Sequence, residues 1–198
     1  MKLISYMAAS FLILSQLASA ELIFDSFTPP DLGGFSSPDQ GVTTQIHVAQ
    51  ETRITSFSIL NENFTTTRIK FAIYNHPQHE RLYLSDEFVF PADSGFPTWK
   101  LSPQIDFVLQ AGQDYHIGYG HDVAVNDVWD NIPETMNGIS SGFNVSIIDD
   151  FDSMNFERHF IIGADSGIRL FVPEPTTWHL SVIAMIFWSY STRRHIAW

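Results

Sequence analysis

RIKFAIY, residues 68–74, is the stretch on which the fold turns. Ile69, Phe71 and Ile73 point one way, while Arg68, Lys70 and Tyr74 point the other. A repeat of two residues makes a half-buried strand rather than a helix. DYHIGYG, residues 114–120, repeats the pattern with Tyr115, Ile117 and Tyr119 on one face. Working outward, similar short runs occupy 54–60, 87–90, 105–109, 143–148, 160–162 and 168–171. Turn-forming clusters separate them: Asn61-Glu62-Asn63, Asn75-His76-Pro77, Pro91 to Gly95, Ala111-Gly112 and Ala164 to Gly167. No long window between Glu21 and Phe171 carries a helical repeat. Roughly seven to nine short strands at near-regular spacing predict an all-β fold, an antiparallel β-sandwich or barrel. Residues 21–41, rich in Pro, Gly, Ser and Asp, read as a loop or edge strand, and 122–141 as an irregular insertion.

Composition narrows the chemistry. The whole chain carries a net charge of −12. Setting aside Lys2, Arg193, Arg194 and Glu174 leaves seven basic against 21 acidic residues between 21 and 171, a net of −14. Such a body repels nucleic acid and anionic lipid. The absence of cysteine excludes thiol nucleophiles, Cys-type zinc sites and iron–sulfur ligation. It also leaves the domain to hold together through its core alone.

The two ends have a different character. MKLISYMAASFLILSQLASA, residues 1–20, places Lys2 before an apolar stretch that closes on Ala18-Ser19-Ala20, the layout of a cleaved secretory signal peptide. At the other end, Val172-Pro173-Glu174-Pro175 is a stiff extended rod, because two of its residues have fixed φ and no amide donor. The apolar stretch 178–190 follows, flanked by Trp178, Trp188 and Tyr190, and then Arg193 and Arg194. Arginines at the cytoplasmic interface would leave the body of the chain on the other side of the membrane. This order, over 172–194, resembles the PEP-CTERM sorting signal. The resemblance implies that Pro173, Glu174 and Pro175 are read by an exosortase, that the apolar segment is a transmembrane helix before processing, and that the source is a Gram-negative bacterium that makes exopolysaccharide. The domain plan is then a signal peptide (1–20), a sandwich (21–171) and a sorting signal (172–198). Within the sandwich, Leu109 to Tyr115 resembles the turn into a late strand of jelly-roll domains. The stretch 54–119 is broadly similar to the galactose-binding-like sandwiches of exported bacterial proteins.

Candidate site residues are sparse. His76 and His79 share the polar loop NHPQHE and read as solvated, since two imidazoles fall short of a zinc site. His116 and His121 face opposite sides of one strand, so they make no metal pair, and His116 projects away from Tyr115 and Ile117. Asp149, Asp150 and Asp152 offer hard oxygens of the kind calcium takes, without the spacing of a calcium loop. The plain alternative for them is an exposed acidic loop, so no cofactor is expected beyond a structural calcium held there. Trp129 between Asp127 and Asp130 has the parts for stacking and hydrogen-bonding a sugar, or else is a loop anchor. Trp99, beside Lys100 and Leu101, reads as core. No nucleophile elbow, zinc-protease helix or phosphate loop is present. The expected protein is a non-enzymatic envelope or extracellular-matrix component that contacts polysaccharide. The alternative is a secreted polysaccharide hydrolase using loop carboxylates.

Overall fold

The computed structural model describes residues 20–27, 32–130, 133–160 and 165–173. The signal segment up to Ser19, and the tail from Glu174 with Pro175, Arg193 and Arg194, lie outside them. In chain order the strands are β1 (Ala20–Asp25), β2 (Leu32–Ser36), β3 (Gln40–Val48), β4 (Thr52–Ile54), β5 (Ser56–Asn63), β6 (Thr67–Asn75), β7 (Arg81–Leu84), β8 (Phe88–Phe90), β9 (Thr98–Leu101), β10 (Phe107–Leu109), β11 (Gln113–His121), β12 (Val125–Asp130), β13 (Thr135–Met136), β14 (Ile139–Ile148), β15 (Phe156–Phe160), β16 (Asp165–Ser166) and β17 (Ile168–Pro173). Among the described residues the fold is all-β, as the period-two runs predict, and its ladders are antiparallel.

Two sheets carry most of the structure. One runs β1-β17-β5-β12-β16, with β2 on β12 and β9 on β5; the other runs β13-β14-β3-β11-β6-β7, with β15 on β14 and β8 on β6. From β3 onward the longer strands alternate: β3, β6, β11 and β14 lie in one sheet, and β5, β9, β12 and β17 in the other. A single apolar cluster draws on both. Phe57, Ile59 and Leu170 come from the first sheet, and Ile46, Phe71, Ile73, Ile117 and Tyr119 from the second. Phe57 and Phe71 meet edge to face at 5.5 Å, and Phe71 also meets Phe88 and Phe90. Each such pair adds about 0.5–1.5 kcal/mol beyond the area it removes from water. Thr44 of β3 donates its hydroxyl to the Ser166 carbonyl at 3.0 Å and accepts the Ser166 amide at 2.8 Å, tying the sheets together at their polar end.

Several expectations need correction. Residues 21–41, read as a loop or an edge strand, hold β1 at the edge of its sheet, together with β2 and the start of β3. The stretch 122–141 is mostly strand, β12 to the start of β14. Residues 54–60 divide at Thr55, so β4 and β5 join different sheets. Trp99 sits half-buried on a strand next to β5, with Arg169 over its ring at 3.9 Å and Phe27 at its edge.

The second sheet is covered on its outer face too, and this determines the site. Phe151 to Phe156 folds back across it, and Ala72, Tyr74, Ile148 and Met154 form a small second core there, with Phe156 packed against them. Three side chains fasten the fold-back. The Tyr74 hydroxyl donates to the Met154 carbonyl at 2.7 Å, Lys70 donates to the carbonyls of Phe151 and Asp152, and Arg81 to that of Ser153. Lys70 also lies over the Phe151 ring at 4.5 Å.

Candidate functional site

The β6–β11 ladder builds the one convergence of metal-binding side chains among the described residues. Tyr115 lies opposite Asn75 and His116 opposite Tyr74, so the residue after β6, His76, falls opposite Asp114, on the same face as His116 and diagonal to it. The turn that follows is tightly bonded. Asn75 accepts the His79 amide on its carbonyl at 3.0 Å and the Glu80 amide on its side chain at 2.7 Å; the His76 amide reaches back to the Asp114 carbonyl at 3.1 Å. His79 holds φ 57, which non-glycine residues rarely adopt. The turn therefore returns His79 toward the strand instead of out into water.

The three rings form a near-equilateral triangle. Centroids are 5.3 Å apart for His76–His116, 5.3 Å for His79–His116 and 5.7 Å for His76–His79. One nitrogen from each lies within 4.8 Å of the others. His76 Nδ1 and His116 Nε2 are 3.2 Å apart. Phe156 walls one side, stacked on His79 at 4.3 Å and 4° from parallel, and tilted against His116 at 5.0 Å. On the far side of His116, Nδ1 lies 3.5 Å from the Thr43 hydroxyl, which itself donates to the Ser146 carbonyl at 3.3 Å. With the Thr43 proton so directed, its oxygen is left to accept from Nδ1–H. That tautomer puts the lone pair of Nε2 toward the other two rings.

His116 thus projects from the face opposite Tyr115, as its parity requires, but it is fully buried, because the Phe151 to Phe156 fold-back covers that face. His76 and His79 are half-buried, not solvated. The sequence alone could have offered one hint: two alternating strands, one followed at once by histidine and the other with histidine near its start. His121 stays apart, buried and donating from Nδ1 to the Val123 carbonyl at 2.7 Å.

The aspartates chosen from sequence have other duties. Asp150 accepts the Asp152 amide at 2.9 Å, and bonds from Ser153 and its own turn hold its carboxyl below the ordinary range. The structure does not bring Asp149, Asp150 and Asp152 to a common point. Asp127, expected at a sugar-facing rim, is fully buried, and its carboxylate takes the Tyr119 hydroxyl bond. The side chains of Trp129 and Asp130 lie outside the described residues, although their backbones belong to β12.

Burial pushes Asp127 up to about 7, only partly offset by the Tyr119 bond. Burial also drives His121 down to about 4. The two act oppositely on stability. A raised aspartate favours the fold when protonated, so its contribution is complete below pH 3.8 and is lost as pH rises to about 7. A depressed histidine favours the fold when neutral, so its contribution is complete above pH 6.5 and is lost as pH falls to about 4. Asp127→Asn removes the first and leaves the second. Urea titrations from pH 4 to 7 are expected to show the variant gaining stability relative to the parent as pH rises, by about tenfold in the folding equilibrium per pH unit. Parallel pH profiles for the two proteins would show that Asp127 is ionised in the fold.

No protein-family model matches the chain, and no curated protein does. Among solved structures, a family 35 carbohydrate binding module from an environmental isolate is similar, with 15% sequence identity and a TM-score of 0.33. The match covers 64% of this chain and 94% of that one. A likeness at that level transfers no ligand.

Proposed function

We propose that this chain is an exported protein of a Gram-negative envelope or extracellular matrix, carrying a jelly-roll-like sandwich as a non-catalytic structural or binding module. The observation that carries this reading is the tail: Pro173, Glu174 and Pro175, then an apolar segment, then Arg193 and Arg194. An exosortase at the inner membrane would read the tripeptide and remove the helix, leaving the module at the surface, in contact with exopolysaccharide. Two features of the described residues support it. β17, which lies between β1 and β5, ends at Pro173, and Pro173 is exposed to solvent, where a processing enzyme would meet it. Of the loop carboxylates a hydrolase would need, Asp127 is sealed in the core and Asp150 is engaged in its own turn.

The test is intact-mass measurement on protein recovered from the envelope of its native host. The expected species begins at Glu21 and ends between Val172 and Thr177. A species that retains Trp198 overturns the sorting.

A further inference from the structure

The geometry points to His76, His79 and His116 as a binding site for a late first-row divalent cation of the zinc and copper class. This is independent of how the chain is delivered. The donor set selects the ion. All three converging groups are imidazoles, which suit zinc, copper and nickel, whereas calcium and magnesium want carboxylate and carbonyl oxygen.

The spacing fits. Two nitrogens on a tetrahedral zinc, each about 2.0–2.1 Å from the metal, lie about 3.3 Å apart. His76 Nδ1 and His116 Nε2 stand at 3.2 Å. In the metal-free protein one proton lies between these nitrogens, donated from His76 to the lone pair that Thr43 leaves on His116. A cation takes that proton's place, and the proton passes to the other nitrogen of His76 or to solvent. The third donor lies within 4.8 Å of the other two and needs to close by at most about 1.5 Å for the same tetrahedral spacing. It sits on a turn, whereas His116 is fixed in the centre of a sheet.

The surroundings are those of a built site. A hydroxyl orients the far nitrogen of His116, the type of outer partner that fixes tautomer and ring angle in metal-ligating histidines. Phe156 excludes water from one side and holds the His79 ring flat. Three protein ligands leave a fourth position open, which water or an external donor fills.

The competing reading is a cluster of buried imidazoles held by ring packing and one N–H···N bond. Titrating zinc chloride into the metal-stripped, untagged full chain separates the two. One zinc per chain is expected, and cobalt(II) at the same site is expected to give the strong visible bands of tetrahedral coordination. His79→Ala alters a half-buried turn residue and is expected to weaken zinc binding at least about 100-fold, since loss of an outer-shell partner alone costs 10–100-fold. His116→Asn is expected to do the same, with its melting temperature recorded beside it. His47→Ala removes an exposed histidine paired with Asp114 and is expected to leave affinity within about threefold. No saturable zinc binding by the parent protein, or parent-like affinity in His79→Ala, overturns the site.

Discussion

Gly118→Ala is expected to abolish folding, or to cost more than about 4 kcal/mol, a loss reached only by a few mechanisms. Gly118 lies at the centre of β11, opposite Thr43 of β3, and β3 is itself flanked by β14. A methyl group on Gly118 would fall 1.9 Å from the Val42 carbonyl oxygen and 2.6 Å from the Thr43 Cα. Both are backbone atoms of a strand bonded on both edges, so no side-chain rotation relieves the clash. The two strands would have to part, and their separation positions Thr43 against His116. Gly142→Ala is the control. It also lies in a strand, yet its nearest neighbour would be the Gln45 carbonyl at 3.8 Å, an ordinary contact, and its effect is expected to stay below about 1 kcal/mol. Urea denaturation of the two variants beside the parent measures the difference, and the soluble fraction on expression does so if Gly118→Ala does not fold. A loss under about 1 kcal/mol in Gly118→Ala would mean that β3 and β11 do not approach this closely.

What the sequence disclosed, and what it hid, follows from the same strands. β6 and β11 were legible because each has one face in the main core, so Ile69, Phe71 and Ile73, and likewise Tyr115, Ile117 and Tyr119, alternate with polar residues. β3, QGVTTQIHV, was not, because its middle is buried on both faces and carries hydroxyls where alternation demands a contrast. Thr43 and Thr44 are both fully buried, one turned to Ser146 and the other to Ser166. The histidine site was hidden for a related reason. Parity placed His116 on the outer face correctly, but parity says nothing about what covers that face or which strand lies alongside. Register decides that: His76 and His116 are 40 positions apart in sequence and meet only because Asn75 lies opposite Tyr115. Asp127 shows the reverse error, where an acidic neighbourhood suggested a solvated loop and the strand β12 turned its carboxylate inward.

Lys100→Met should lower stability by about 3–5 kcal/mol at neutral pH, the cost of leaving a buried charge without its partner. Lys100 is 4% exposed and its ammonium contacts both oxygens of Asp93, at 2.6 and 2.8 Å. Asp93 also accepts the Asn63 amide at 2.7 Å and the Thr98 hydroxyl at 2.7 Å, closing the loop between β8 and β9 onto the end of β5. Burial works to raise the Asp93 carboxyl, yet these bonds together with Lys100 outweigh it and hold the group below its ordinary value. A depressed aspartate contributes stability that is present above the unfolded pKa of 3.8 and is lost as pH falls through the lower folded value. Without Lys100 the balance reverses: burial raises the carboxyl, and the variant weakens as pH climbs. The gap between parent and variant is therefore expected to widen from about pH 3 to 7, reaching a fall of about 6–20 °C in melting temperature for a domain of this size. The same gap at acid and neutral pH would assign the loss to the packing of the lysine chain instead of to its charge. Arg53→Ala supplies the contrast. Its pair with Asp106 is more than half exposed on both sides, and its removal is expected to leave stability close to that of the parent at any pH. Adding Asp93→Asn to Lys100→Met removes the stranded charge while the one remaining side-chain oxygen keeps an acceptor for the Asn63 amide, and the Thr98 hydroxyl turns to accept from the new NH2. Part of the lost stability should then return, which a purely steric role for Lys100 does not allow.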